Sequence, residues 1–398
     1  MTDLLRICAA FALLVLLLRL RWNLGIVMLT CAVFLGALYR IGPRAQALVL
    51  FRSSIDMVTV NLVTGLVLIM VLENIIRKKG LLKRMMDSVV NVSRDRRIAM
   101  AVLPGVIGLL PSAGGAAFSA PMVEDAAGGT DIKPEHKAFI NYWFRHIWEY
   151  ICPLYPGIML AAAVTKIPTN SLLLSQLPLP LAVVVFGALF CFRGITTVTV
   201  EGGRNRAEFQ ALFITLLPIA ASLILVVAFN LPLALAMMSI VAAMFVIYRY
   251  SLSEIMLTLR ESFSGSIMLM VIGVMTFKGM LDVSGAIESL PVFFKQSGLP
   301  AGAVLFALPF TVGLLTGLTV AFVGATFPIL VAMQGGNPDL ASVTFAFASG
   351  FAGVMLSPAH LCLLLTVRYF KADLSGTYRY MYLPVFLVFL VGLARLWM

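Results

Sequence analysis

The sequence predicts an all-α membrane protein built from two inverted repeats, each of five transmembrane helices plus one re-entrant hairpin, with Pro-broken helices. Three observations predict it. Of 398 residues, 61% are apolar and only 12% charged, where an ordinary soluble domain is about 25% charged. The pattern Pro104, Gly108, Leu109, Leu110 returns 205 positions later as Pro309, Gly313, Leu314, Leu315. Each half also contains one long apolar stretch interrupted by Pro and Gly, which a single straight span would not tolerate.

The composition excludes a soluble globule. At roughly 20 apolar residues per crossing, the apolar runs provide about ten or eleven spans and leave no room for a soluble domain. The formal net charge of +11 does not imply nucleic acid, because the basic residues sit in short connections where they orient the chain in the bilayer. Cys8, Cys31, Cys152, Cys191 and Cys362 all fall in apolar segments without metal-type pairing, so they read as buried small side chains. The first apolar run, 7–18, is followed by Arg19 and Arg21 and by no small-residue cleavage site, so it is expected to remain as a span.

The first repeat, 1–200, reads as spans near 4–20, 22–39 and 54–76, a basic amphipathic stretch at 77–97, a hairpin at about 98–130, a broken span at about 137–165 and a span near 178–196. The second, 201–398, reads as spans near 207–229, 231–248 and 264–283, a hairpin at about 300–334, a broken span at about 340–367 and a span near 378–397. Gly80 matches Gly285 and Pro153 matches Pro358 at the same offset, while Pro121 to Pro328 and Asn23-Leu24 to Asn230-Leu231 need 207. The stretch 77–97, with Leu81, Leu82, Met85, Met86, Val89 and Val90 at near-helical spacing, fits a helix lying on an anionic leaflet.

The interrupted segments decide the topology. Residues 98–130 contain Pro104, Pro111, Gly114-Gly115 and Pro121, and the second copy contains Pro309, Gly317, Gly324 and Pro328. Two helices too short to cross separately, around a Gly-rich tip, predict a hairpin that enters and leaves on one side. Each half then crosses five times, so the second must be inverted. Twenty of the 29 lysines and arginines fall on one side, eight on the other, and Arg145 lies inside a span. The richer side is expected to be the cytoplasm of a cell (inner) membrane protein with both termini outside.

Inverted repeats with broken helices near the midplane suit a secondary transporter, because half-helix ends supply dipoles and free backbone groups to substrate and ions. The hairpin tips give Ser112, Gly114, Gly115 and Ser119 in the first copy and Thr316, Gly317, Thr319 and Thr326 in the second as substrate-binding candidates. Their hydroxyls and small residues let an anion approach backbone N–H groups; close helix packing is the alternative use of small residues. The breaks at Pro153 and at Ser357-Pro358 free carbonyls that could hold Na⁺. Arg145-His146-Ile147-Trp148-Glu149 is the densest ionisable group inside a span, with Arg145 and Glu149 spaced i,i+4 and His146 and Glu149 spaced i,i+3. A histidine beside a carboxylate could carry a coupling proton and Arg145 could hold an anion, while a purely structural ion pair is the competing reading. His360 is a further candidate in the second break, and Glu73 and Lys278, at matching positions, are expected to snorkel from helix ends.

The expected function is therefore an ion-coupled carrier, by Na⁺ or H⁺, of a small organic anion, with no catalytic residues and no cofactor beyond a possible Na⁺. A lipid-linked phosphate is the rival substrate. A channel would share the repeat but not the paired breaks. An intramembrane enzyme using His146 and Glu149 as acid/base groups or metal ligands lacks a third convincing ligand.

Five spans plus one hairpin, duplicated and inverted, with Pro-broken spans after each hairpin, resemble the ion transporter superfamily, which includes dicarboxylate/sodium symporters and the membrane subunits of tripartite periplasmic carriers. The run 108–121, GLLPSAGGAAFSAP, and the run 356–363, LSPAHLCL, are similar to an uncharacterised prokaryotic family of integral membrane proteins. The resemblance covers nearly the whole chain. It implies an elevator mechanism, with hairpins and broken spans moving past a dimerising scaffold, a homodimer, and Na⁺ or H⁺ coupling. The Ser-Asn-Thr tip of the dicarboxylate symporters is replaced by Ser112-Ala113-Gly114 and Thr316-Gly317-Leu318, which argues against dicarboxylate specificity.

Overall fold

The structure is a computed structural model that describes residues 2–92, 95–111, 115–128, 131–193, 195, 206–286, 291 and 300–397. Five helical stretches among these residues are long and apolar enough to cross a membrane: Met57–Lys78, Thr169–Cys191, Arg206–Val227, Gly265–Val283 and Leu374–Trp397. The remaining apolar segments are shorter helices, broken where the Pro and Gly positions require it.

The first half runs α1 (Thr2–Arg19), α2 (Leu24–Leu38), α3 (Pro43–Ile55) and α4 (Met57–Lys78). It continues with α5 (Leu81–Val92), α6 (Arg96–Ile107), α7 (Gly115–Ala126) and α8 (Pro134–Arg145). A 3₁₀ turn (Ile147–Tyr150), α9 (Pro156–Thr165), α10 (Thr169–Gln176) and α11 (Pro178–Cys191) complete it. The second half gives α12 (Arg206–Val227), α13 (Leu233–Ile247), α14 (Leu252–Ser262) and α15 (Gly265–Val283). After the undescribed segment come α16 (Ala301–Thr316), α17 (Thr319–Met333), α18 (Leu340–Met355), α19 (Leu361–Phe370) and α20 (Leu374–Ala394).

The hairpins are thus α6–α7 and α16–α17, and each arm carries an internal proline: Pro104, Pro121, Pro309 and Pro328. The broken spans are α8–α9 and α18–α19. The short helices α3 and α14 were not expected. Arg44 and Arg52 in α3 and Glu254, Arg260 and Glu261 in α14 hide them from an apolar-run reading, yet Pro at the start of α3 and a Ser251/Glu254 capping box in α14 define their beginnings. Helix α5 is the expected amphipathic helix, with Leu81, Met85, Ser88 and Val89 buried and Lys83 and Arg84 exposed; Ser88 donates a hydrogen bond to Glu208 of α12 at 3.0 Å.

Packing is reciprocal between the halves. α2 lies on α15 as α13 lies on α4, α3 on α15 as α14 on α4, and α7 on α19 as α17 on α9. The glycine register explains the closest approaches. A Cβ on Gly108 would come within 3.0 Å of the carbonyl carbon of Arg145, and one on Gly313 within 3.2 Å of that of Gly350. Arg145 follows Gly108 by the same 37 positions by which Gly350 follows Gly313. In both halves the first hairpin arm therefore rests backbone to backbone on the next span, and only glycine leaves room. The matched charges Glu73 and Lys278 also sit alike: Glu73 accepts from Arg77 at 2.5 Å and Lys278 pairs with Asp282 at 3.4 Å, each four residues on.

The contacts sort the helices into two groups. One holds α1–α5 and α12–α15; the other holds the hairpins, the broken spans, α10, α11 and α20. Replacing Gly313 by Ala should lower stability by about 1–3 kcal/mol, because the methyl must displace backbone, while Gly302→Ala, whose new methyl meets nothing closer than Leu396 Cδ1 at 3.9 Å, should not. Thermal unfolding of the two purified variants checks this, and equal melting points would remove the close-approach explanation.

Candidate functional site

The two breaks and the second hairpin meet around a cavity of about 250 Å³. Helix α8 ends at Arg145, and the chain passes through the 3₁₀ turn and Pro153 before α9 starts at Pro156. On the other side α18 ends at Met355 and α19 starts after His360. The walls are Arg145, Glu149, Tyr155, Pro156 and Gly157 from the first break, Gly317, Leu318, Thr319 and Val320 from the second hairpin, His360, Leu361 and Cys362 from the second break, and Pro111 from the first hairpin.

Three helix N-termini therefore open into one hollow: α9, α17 and α19. None has a side-chain cap, so first-turn N–H groups are offered to a ligand, apart from the one lost to Pro156 and that of Ala321, which donates to the Leu318 carbonyl at 3.1 Å. The hairpin tip is pressed into place by two glycines. Gly317 has φ +64, and a Cβ there would lie 2.7 Å from the His360 backbone; a Cβ on Gly157 would lie 2.5 Å from Thr319 Cγ2.

The polar groups interlock across the halves. Thr319 Oγ1 donates to Glu149 Oε2 at 2.6 Å, and His146 Nε2 stands 3.7 Å from Glu149 Oε1. Because the α-helix stops at Arg145 and a 3₁₀ turn follows, i and i+3 eclipse, which brings His146 to Glu149; the expected α-helical face shared by Arg145 and Glu149 does not continue through the turn. Arg145 is buried and hydrogen-bonds Tyr155. His146 Nε2 lies 3.2 Å from His360 Nε2, with the rings edge to face. Among the described residues, His146, His360 and Cys362 offer ligand atoms all within 4.8 Å of one another.

Of the proposed site residues, Arg145, Glu149, Gly317, Thr319 and His360 line the cavity, and His146 lies beside it. Ser119 bonds the carbonyls of Gly115 and Ala116 in its own helix, Thr326 that of Phe322, and Thr316 that of Val312. Ser357 accepts from the Ala359 N–H at 3.1 Å, shaping the turn before His360. Gly115 is buried at the start of α7, while Ser112 and Gly114 lie outside the described residues. Sequence reasoning missed Tyr155, Cys362 and Asn141. The buried Asn141 amide donates to Ala116 O at 3.2 Å and Thr366 Oγ1 at 2.9 Å, tying the first hairpin to α19; a lone polar residue at the middle of a span was the available signal.

A family model described as "Protein of unknown function (DUF401)" matches residues 4–397. Comparison with curated protein sequences gives no match. Among solved structures the chain is similar to the YdaH transporter of Alcanivorax borkumensis, whose crystal structure is described as revealing an unusual topology, at 14% identity and a TM-score of 0.50 over 87% of this chain and 85% of that one. The likeness is one of fold, that of a helical multi-pass membrane protein.

Thr319→Val keeps the shape of the hairpin tip but leaves the Glu149 carboxyl without its donor. It should cost about 1–3 kcal/mol, with Thr319→Ser close to the parent protein. Thermal melts of the pair decide it; a valine variant as stable as the serine one would mean the contact contributes nothing.

Proposed function

Since the chain belongs to the DUF401 family, matched from residue 4 to 397, and shares a fold with a transporter, we propose that it is a secondary active carrier of a small organic anion. One observation carries the reading: three uncapped helix N-termini and the Arg145 guanidinium face a common cavity of about 250 Å³. Each N-terminus presents roughly half a positive charge, and in low dielectric an anion is the complementary ligand. Glu149 lines the same cavity, its Oε2 accepting from Thr319 Oγ1 at 2.6 Å.

Ion coupling, Na⁺ or H⁺, is part of the proposal, with the carbonyls of the two breaks and the Glu149–His146 pair as the candidate carriers. So is an elevator movement. The two packing groups support it, because the group that surrounds the cavity is distinct from the group that contains α2, α4, α13 and α15; the latter would form the fixed scaffold and pair two copies of the chain in the inner membrane. An inverted second half is supported by the reversed polarity of Glu73–Arg77 and Lys278–Asp282. Arg77 then sits at the cytoplasmic end of α4, in line with the positive-inside bias, and the Lys278–Asp282 pair at the outer end of α15.

Two measurements test these points. Purified protein screened by thermal shift against mono- and dicarboxylates and inorganic phosphate, with and without Na⁺ and at two pH values, should show stabilisation by one anion class. Arg145→Gln should weaken that apparent affinity by at least about tenfold, or 1.4 kcal/mol, while Ser119→Ala should leave it intact. Silence across the panel would argue against a soluble anion and favour a lipid-linked phosphate. For topology, single reporter cysteines at Lys133 and at Pro338 should label from opposite faces of the membrane, and labelling from one face would end the inverted arrangement.

A further inference from the structure

The two histidines that meet between the breaks face each other through their Nε2 atoms. His146 Nδ1 lies 2.6 Å from the Tyr142 carbonyl and His360 Nδ1 lies 3.3 Å from the Val354 carbonyl. A carbonyl only accepts, so both Nδ1 atoms carry the proton; with both rings neutral, each turns a bare Nε2 lone pair toward the other, 3.2 Å away. Two lone pairs at that separation repel unless an electrophile lies between them.

A metal ion fits this arrangement on three independent counts. Donation of the other ring N–H to a backbone carbonyl is the usual way a protein fixes a metal-binding imidazole, and it occurs twice. Two imidazole nitrogens bound at about 2.0–2.1 Å in a tetrahedral site stand roughly 3.3 Å apart, against 3.2 Å here. A soft third donor is at hand, because Cys362 Sγ lies within 4.8 Å of a ring nitrogen of each histidine, and reaching metal-thiolate geometry needs a side-chain movement of about 1 Å.

We propose that His146, His360 and Cys362 form a binding site for one divalent transition metal of the zinc class. The ligands come from both halves: His146 follows the last residue of α8, and His360 and Cys362 begin α19. The ion would staple one break to the other. On binding, the Cys362 thiol gives its proton to solvent in the cavity, which His360 and Cys362 line, and the sulfur becomes a thiolate ligand. Three protein donors leave a fourth position for water or for a group in the cavity. A tight two-nitrogen, one-sulfur set favours zinc, cobalt or copper over the oxygen-seeking Na⁺, Mg²⁺ or Ca²⁺. The inference does not depend on the transport reading, since it concerns binding to the resting protein.

The test titrates metal-free, detergent-purified full-length protein with CoCl₂ and then displaces cobalt with ZnCl₂. Expected are one Co²⁺ per chain, a near-ultraviolet sulfur-to-cobalt charge-transfer band with visible d–d bands, and a higher melting temperature. Cys362→Ser should abolish the charge-transfer band and keep weaker d–d bands; His146→Gln combined with His360→Gln should lower affinity at least tenfold. Melts of the metal-free variants establish that they are folded. No stoichiometric cobalt in the folded parent protein, as expected if the two rings merely share a proton, overturns the site. So does a charge-transfer band that survives in Cys362→Ser.

Discussion

A helix broken inside a membrane leaves backbone groups that lipid cannot satisfy, and the core of this molecule is arranged around that constraint. The two ends of each break are treated differently. Carbonyls at the end of α18 and at the end of the first hairpin arm, α6, are met by aromatic side chains: Tyr142 donates to Met355 O at 3.2 Å, Tyr378 to Leu356 O at 3.1 Å, Tyr155 to Gly108 O at 2.5 Å, and the Trp148 indole to Gly105 O at 2.7 Å. The N–H ends of α9, α17 and α19 receive no side-chain cap. These carbonyl ends are met internally and the N–H ends face the cavity, so the anion proposed as ligand matches the way the backbone is completed as well as Arg145.

The reciprocal packing shows how one local solution is used twice. Gly108 beside the Arg145 carbonyl and Gly313 beside the Gly350 carbonyl hold each hairpin against its following span, and the hairpin's second arm then reaches the broken span of the other half, α7 to α19 and α17 to α9. Neither break is completed by its own half alone. The chemistry nevertheless differs between copies. The first break supplies Arg145, Glu149 and Tyr155, while the position matching Arg145 is Gly350, a residue that admits the Phe322 ring against its backbone. The two halves share the frame, and the charged groups are concentrated in one of them.

Much of the frame was legible in the sequence, because prolines and glycines mark backbone geometry directly. Pro104 and Pro309, Gly108 and Gly313, and Pro153 and Pro358 located the hairpins and breaks before any coordinates. Hydroxyl residues were less informative. Ser119, Thr316 and Thr326 satisfy their own helices at i−3 or i−4, a use that composition cannot distinguish from ligand binding; Thr319 escapes it because it is the first residue of α17 and has no helical carbonyl before it. α3 and α14 were invisible to apolar-run reasoning because their charged faces stay exposed, with Arg44 and Arg52 on one and Arg260 and Glu261 on the other. The meeting of His146 with His360 and Cys362 was out of reach: it joins positions more than two hundred residues apart, and the absence of a local third ligand argued against any metal.

The placement of that trio has a consequence for how the cavity can open. The second hairpin's tip is held by Gly317 against the His360 backbone, by Thr319 on Glu149 and by the contact of Thr319 with Gly157. It thus touches both breaks at once, so withdrawing the tip uncovers the cavity and frees the Glu149 carboxyl together. His146, His360 and Cys362 join the same two breaks directly, without the hairpin. An ion held there would keep the breaks aligned while the hairpin moves, separating the opening of the site from its assembly. Without such a link, loss of the Thr319–Glu149 contact would leave the ends of α8 and α19 joined, among the described residues, by packing, by the His146–His360 contact and by the Asn141–Thr366 hydrogen bond at 2.9 Å. A hairpin that served as a cover would need what lies beneath it to stay together, and the side chains best placed to ensure that are the two imidazoles and the sulfur.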